Sequence, residues 1–336
     1  MEDSGNDFEV RWYRTPLQKE TLRSLTRRTD FEGFLQVVGF LLVIAATAAA
    51  VWIAWGRTPW YVLTVLLILH GTCVAFTLNG FHELIHGTVF KTKWLNALFL
   101  RVYSFISWNN HVAFRASHNK HHLNTLHPPH DLEVVLPIQL TPAGFLLTAV
   151  IDFIGLYGVF RDMAVLSLGI VRGKWQLILF PPSNRKGRHR LIWNARLTLL
   201  GHAAIIAVSA VTGFWQLAVV TSFARFYAGG LQWLCNTTQH IGLQDNVADF
   251  RLCCRTIRLN PVLQFLYFHM NFHTEHHMYA SVPCYHLARL RREILRDMPP
   301  APRLLPAWGQ ILGILGRQKR DPAYQYVMPL PPSPVV

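Results

Sequence analysis

Residues 60–86 read WYVLTVLLILHGTCVAFTLNGFHELIH. From Trp60 to Phe81 no residue carries a charge, and at about 1.5 Å of rise per residue such a run crosses the roughly 30 Å hydrocarbon core of a bilayer. It ends on His82-Glu83-Leu84-Ile85-His86, two imidazoles four residues apart and therefore on one face of a helix. An apolar span that delivers two candidate metal ligands to its own end sets the terms for reading the rest of the chain.

Upstream, Phe34 to Trp55 is a second uncharged run, joined to the first by Gly56-Arg57-Thr58-Pro59. So short a loop makes the two helices a hairpin, with Trp52 and Trp55 at the level of an interfacial belt. Downstream, 191–211 and 214–234 repeat the arrangement, pinched at Thr212-Gly213. Arg196 can snorkel from the start of the third helix. Arg225 falls mid-span, where a charge needs either a buried backbone partner or a substrate head group. Basic residues from Arg11 to Arg28 precede the first hairpin and Arg185, Lys186, Arg188 and Arg190 precede the second, whereas only Arg57 lies in the first external loop. The positive-inside rule then places both termini and His82 on the cytoplasmic side. The expected organisation is a basic N-terminal segment (1–33), a membrane domain (34–298) and a proline-rich tail (299–336). The fold class is all-α integral membrane: four transmembrane helices in two hairpins (about 34–55, 60–81, 191–211 and 214–234) under a cytoplasmic histidine-rich helical cap. Within that cap, 94–107 and 141–180 are apolar but interrupted, the latter by Asp152, Arg161, Asp162, Arg172 and Lys174, and read as helices lying at the interface.

Composition agrees. Of 336 residues 51% are hydrophobic and 15% charged, with mean hydropathy +0.22, which excludes an ordinary soluble pair of domains. The net charge of +14 lies beside apolar spans rather than along a polar stripe, so it fits an anionic membrane face and not nucleic acid. Five cysteines (Cys73, Cys235, Cys253, Cys254, Cys284) form no CxxC pair and read as free thiols.

Two further boxes repeat the histidine pattern: His118-Asn-Lys-His121-His122 and His273-Thr-Glu-His276-His277. Eight imidazoles exceed the three or four ligands that one zinc takes, so two metal ions are expected, and imidazole suits iron, zinc, copper and nickel. An even number of passes puts all three boxes on one side. The first box alone matches the HExxH of zinc metalloproteases, but such an enzyme has no use for two HxxHH boxes. A metal transporter or sensor would place ligands near the midplane on broken helices; these lie outside the spans. Soluble di-iron oxygenases use Glu and ExxH ligands, and no ExxH occurs here. Glu83 and Glu275 are therefore expected to hydrogen-bond ligand rings rather than bind metal. In His127-Pro-Pro-His130-Asp131 the prolines hold both histidines off the box-two face, leaving Asp131 as an orienting carboxylate. His70 and His202, inside apolar spans, read as hydrogen-bonded helix contacts.

The order HxxxH, HxxHH, HxxHH across two hairpins resembles the membrane fatty acid desaturase and hydroxylase superfamily, from about Phe34 to Leu290. Phe114-Arg115 resembles that family's Trp-Arg, and Pro283 the end of its HxxHHxxPxxP, with Ala280 standing where the first proline often falls. The resemblance implies two iron ions, activation of O2, and abstraction of hydrogen from an unactivated C–H bond. The product is a double bond in a fatty acyl chain or lipid; the alternatives are hydroxylation at the same centre and desaturation of a small polar metabolite. It also implies a ninth ligand. Similar desaturases carry an Asn and a His four apart after the fourth helix, here Asn236 and His240, where the His binds iron and the Asn holds a metal-bound water; otherwise His240 simply caps that helix. The chain has no four-cysteine iron site, no paired C-x-H Rieske pattern and no haem module. Two electrons must then come from a separate ferredoxin, Rieske-type or cytochrome b5-type donor, docking against Arg185, Lys186, Arg188, Arg289, Arg291 and Arg292.

Topology reporters fused after Pro59 and Thr212 should read external, and those after Lys91, Lys186 and Asp245 internal. An external signal at Lys186 would separate the first two boxes from the third.

Overall fold

The computed structural model describes residues 8–332. Among them all regular elements are helices, and three are long and apolar enough to cross a membrane: Asp30–Ala54, Trp60–Ile85 and Arg185–Thr212. The first begins four residues before the uncharged run. Thr29 caps it, its hydroxyl accepting from the Glu32 amide at 3.2 Å, which satisfies one of the orphan donors of the first turn. Asp30 accepts from the Thr92 amide (2.8 Å) and hydroxyl (2.6 Å), tying this helix to the loop beyond the first box. The third likewise starts early, where Asn184 accepts from Gly187 N at 2.9 Å.

The expected fourth span is not a continuous helix. Residues 214–234 form Trp215–Val220, a 3-10 turn Ala224–Phe226 and Gly230–Thr237. Arg225, Ala228 in a left-handed conformation (φ 55°) and the Gly229-Gly230 pair interrupt the run. Broken backbone among apolar helices must find its hydrogen bonds from neighbours. Val220 O takes His70 Nε2 at 2.9 Å, Ser222 O takes Trp108 Nε1 at 2.8 Å, and Ala228 O takes the Thr72 hydroxyl at 3.1 Å. Phe226 O accepts from Asp152 N and Ala228 N donates to Val150 O. His202 spans the same break, with Nε2 3.1 Å from Phe105 O and Nδ1 2.9 Å from the Ser222 hydroxyl. A carbonyl can only accept, so each of these two rings carries its proton on Nε2. The intramembrane histidines are thus hydrogen-bonded helix contacts, as expected from sequence, and their partner is the broken segment.

The helices of the cap are fixed to the spans by side chains at their ends. Asn110 accepts from Val112 N and Ala113 N to start helix His111–Asn124 and donates to Leu191 O at 2.9 Å, binding the box-two helix to the third long helix. Helix Pro142–Val150 and helix Phe153–Ser167 replace the interrupted stretch, separated by Asp152, whose carboxylate caps Gly155 N. Residues 8–17 lie across the cap: Trp12 stacks on Phe250 (4.0 Å, 10°) and donates to Leu123 O at 2.8 Å. The tail is also structured, with helix Leu304–Gln318 burying Ala307, Ile311 and Ile314 and stacking Trp308 on Trp233 at 5.6 Å.

Gly80, two residues ahead of the first box, is a close-approach position. A Cβ there would overlap the buried rings of Tyr103 and Phe268. Gly80→Ala should lower stability in detergent by about 1–3 kcal/mol, read by thermal unfolding. Gly158→Ala, with nothing within 4 Å of the added carbon, should not, and equal melting of both variants would refute the packing described.

Candidate metal centre

Each box sits at a helix end that another element holds from behind. Box one closes helix Thr77–Ile85, box two ends helix His111–Asn124, and box three is the short helix His273–Met278. The last enters through Phe268 and His269, both with positive φ, and Asn271 Nδ2 ties that entry to Ile257 O at 3.1 Å.

The ring nitrogens converge in two groups. In one, His82, His86, His118, His122 and His276 bring ligating atoms within 4.8 Å of one another; in the other, His240, Cys254, His273 and His277 do. His121 faces the second group, its ring centroid 5.2 Å from that of His240 and 4.9 Å from that of His277. The groups adjoin, since His276 and His277 serve one each and His122 stacks on His277 at 4.2 Å. Three pairs of Nε2 atoms face each other: His82 and His276 at 3.1 Å, His118 and His122 at 3.0 Å, and His240 and His273 at 2.9 Å. His86 Nε2 and His277 Nε2 are buried with no hydrogen-bond partner. Two imidazoles on one metal, each at about 2.1 Å, bring their nitrogens about 3 Å apart at a right angle. The residues therefore fit two metal ions, the first against five imidazoles.

The opposite ring nitrogens have partners that fix the tautomer. His118 Nδ1 lies 2.8 Å from Glu133 Oε1 and His121 Nδ1 2.8 Å from Asp131 Oδ2. His240 Nδ1 donates to Cys253 O at 2.8 Å, and His277 Nδ1 lies 3.1 Å from the Thr125 hydroxyl. Such partners orient a ligand ring and raise its basicity. Asp131 is itself set by the amides of Leu126 and Glu133, and Glu133 by the Ser117 hydroxyl, which accepts from Trp175 Nε1 at 2.9 Å.

Electrostatics keep most of the rings neutral, the form that binds metal. Burial, then neighbouring imidazoles, holds His118, His122, His273, His276 and His277 well below the usual value. His240 is lowered to about 3 by burial and then His121, and His86 to about 4 by burial foremost. His121 differs: burial pulls it down, but the Asp131 hydrogen bond and the charges of Glu133 and Asp131 outweigh it. Asp131 is lowered in turn, burial being outweighed by its hydrogen bond and charge interaction with His121.

All nine sequence-predicted histidines are brought together, and Asp131 takes its expected place. Glu83 is buried with Oε1 3.3 Å from His276 Nδ1. Glu275 is a correction: it accepts from the Thr256 hydroxyl and pairs with Arg291, so it anchors the box-three helix rather than a ligand ring. Arg291 is thereby removed from the set of free surface cations. Asn236, one turn before His240, accepts from Asn79 Nδ2 at 3.2 Å. Arg225 sits in the turn that breaks the fourth span, beside Phe226 and with its Nε unpartnered. His127 turns Nδ1 to Thr125 O and His130 stacks on Phe8, so neither ligates. Sequence reading missed Glu133 and Cys254. For Glu133 the signal was present, since it and Asp131 are the two carboxylates of the loop after box two.

A family model described as fatty acid desaturase matches residues 58–306, which contain all three boxes, His240 and Cys254. No curated protein matches the chain.

The purified protein should hold about two metal ions per chain. In competition with a chelator, Asp131→Ala and Glu133→Ala should each weaken retention by roughly 10–100-fold, measured by elemental analysis. Wild-type retention in both would detach this loop from the centre.

Proposed function

The chain belongs to the fatty acid desaturase family and is an oxidoreductase, and we propose that it removes two hydrogens from a fatty acyl chain or lipid, with O2 as oxidant, at a centre of two iron ions. The observation that carries this reading is the pair of adjoining histidine groups, in which three pairs of Nε2 atoms face one another and the Nε2 atoms of His86 and His277 have no partner. His82, His86, His118, His122 and His276 would hold one iron; His121, His240, His273 and His277 would hold the other. Iron bound there supplies the activation of O2 needed to attack an unactivated C–H bond. In balance, R–CH2–CH2–R′ with O2, two electrons and two protons gives R–CH=CH–R′ and two waters.

The protein's own part is positional. Asp131 and Glu133 fix the rings of His121 and His118. Phe114, stacked on His118 at 4.9 Å, and the buried Phe81, Phe250 and Met278 keep bulk water from the rings. Asn236, steadied by Asn79, would hydrogen-bond a water beside His240. Glu83 turns toward His276, which speaks against its serving as the general base of a zinc protease. Electrons would come from a separate reduced carrier docking on Arg185, Lys186, Arg188, Arg289 and Arg292, and a steered encounter of this kind slows as ionic strength rises.

Expression in a host, followed by untargeted comparison of lipids and polar metabolites, tests the reaction. A lipid product lighter by two hydrogens is expected. A gain of one oxygen would move the reading to hydroxylation, a change confined to polar metabolites to that substrate class, and no product at all would sink it. His240→Ala should lower both iron content and product by roughly 100-fold or more without unfolding the protein. Full iron and activity in that variant would take His240 out of the centre.

A further inference from the structure

A cavity of about 850 Å3 lies beside the box-two helix, between it, helix Lys93–Ile106 and the third long helix. Phe105 and Phe180 give it an apolar floor, and Trp193 and Leu197 stand exposed at its rim. Its cations are Arg101, Arg115 and Arg190. Among the described residues none of the three has a carboxylate within 4 Å, whereas Arg161, Arg172, Arg251 and Arg291 all do.

The charge in the cavity is not compensated. Burial and then the charge of Arg101 hold Arg115 below the usual arginine value. His111, on the same wall, is lowered to about 4 by burial and then by Arg101 and Arg115. Like charges gathered without an acid are unfavourable unless an anion joins them. Asn194 adds an acceptor: its Oδ1 is buried without a partner while its Nδ2 lies 3.0 Å from His111 Nδ1. Arg115 is one helical turn before His118, so the cavity wall and the first histidine group share the box-two helix.

We propose that this cavity binds the phosphate head of an anionic acyl lipid, with Arg101, Arg115 and Arg190 around the phosphate and the hydrocarbon leaving over Phe105 and Leu197 toward the bilayer. Asn194 Oδ1 accepts from a head-group hydroxyl. Naming this lipid as the substrate rests on the desaturase reading; the binding does not.

The test is native mass spectrometry of the full chain in detergent, offered phosphatidylglycerol, phosphatidylcholine or glycerol phosphate. The wild type should retain phosphatidylglycerol over phosphatidylcholine and leave glycerol phosphate unbound. Arg101→Gln with Arg115→Gln should lower retention of the anionic lipid about tenfold or more, while Arg57→Gln, in the first hairpin loop, keeps it. Should the double variant unfold, Arg190→Gln alone at its exposed position should still lower retention severalfold. Undiminished retention in these folded variants would overturn the proposal, as would glycerol phosphate bound as tightly as the lipid. Retention intact in a protein that oxidises no lipid would end the desaturase reading and keep this site.

Discussion

A neutral imidazole has one donor and one acceptor, and that limit governs the histidine cap. Where Nδ1 gives its hydrogen to Cys253 O or to a carboxylate, as in His240 and His118, Nε2 is left an acceptor. His240 Nε2 nonetheless meets His273 Nε2 at 2.9 Å, and His118 Nε2 meets His122 Nε2 at 3.0 Å. Without a metal, His273 and His122, whose Nδ1 atoms have no partner, carry the hydrogen on Nε2 and donate it across each pair. A metal between the rings would take the place of that hydrogen, with both Nε2 lone pairs turned to it and water excluded by burial. The surrounding packing, from Phe81 and Phe250 to Met278, makes sense as the means of holding rings where they would not stay alone.

The same bookkeeping of donors and acceptors explains the membrane-level architecture. Breaking the last apolar run frees carbonyls at Val220, Ser222 and Ala228, and His70, Trp108 and Thr72 meet them. Polar side chains inside the spans and an interrupted helix are two halves of one arrangement. Its result is that Gly230–Thr237 carries Gln232, Asn236 and, just beyond, His240 to the histidine groups, with Gln232 donating to Asn79 at 3.2 Å.

Much of this was legible in the sequence because it is local. Ligands three and four residues apart share a helix face whatever the tertiary structure, so the boxes, and the Asn236–His240 pair by resemblance, announce themselves. Three of the apolar spans are equally plain from hydropathy. The fourth was misread because hydropathy averages over Arg225 and Gly229-Gly230, and because the side chains that make a break tolerable lie 114 to 156 residues away in the chain. Glu275 was read correctly as a non-ligand but given the wrong partner, since Arg291 lies on the following helix. Cys254 joins His240, His273 and His277 only through the fold of residues 250–257, which no spacing rule describes.

The strap formed by residues 8–17 bears on the order of events during synthesis. It leaves the ribosome well before its partners: the Tyr13 hydroxyl donates to Asp297, Thr15 N meets Met278 Sδ at 3.4 Å, and Tyr13 N donates to Ala248 O. Contacts so distant in sequence form slowly, because a long loop must close before they repay its entropy. Box three, bracketed by those same partners, is not covered by the strap until residue 297 has been made. A nascent chain halted before residue 297 would present the imidazoles of the first two boxes without the cover that keeps them dry.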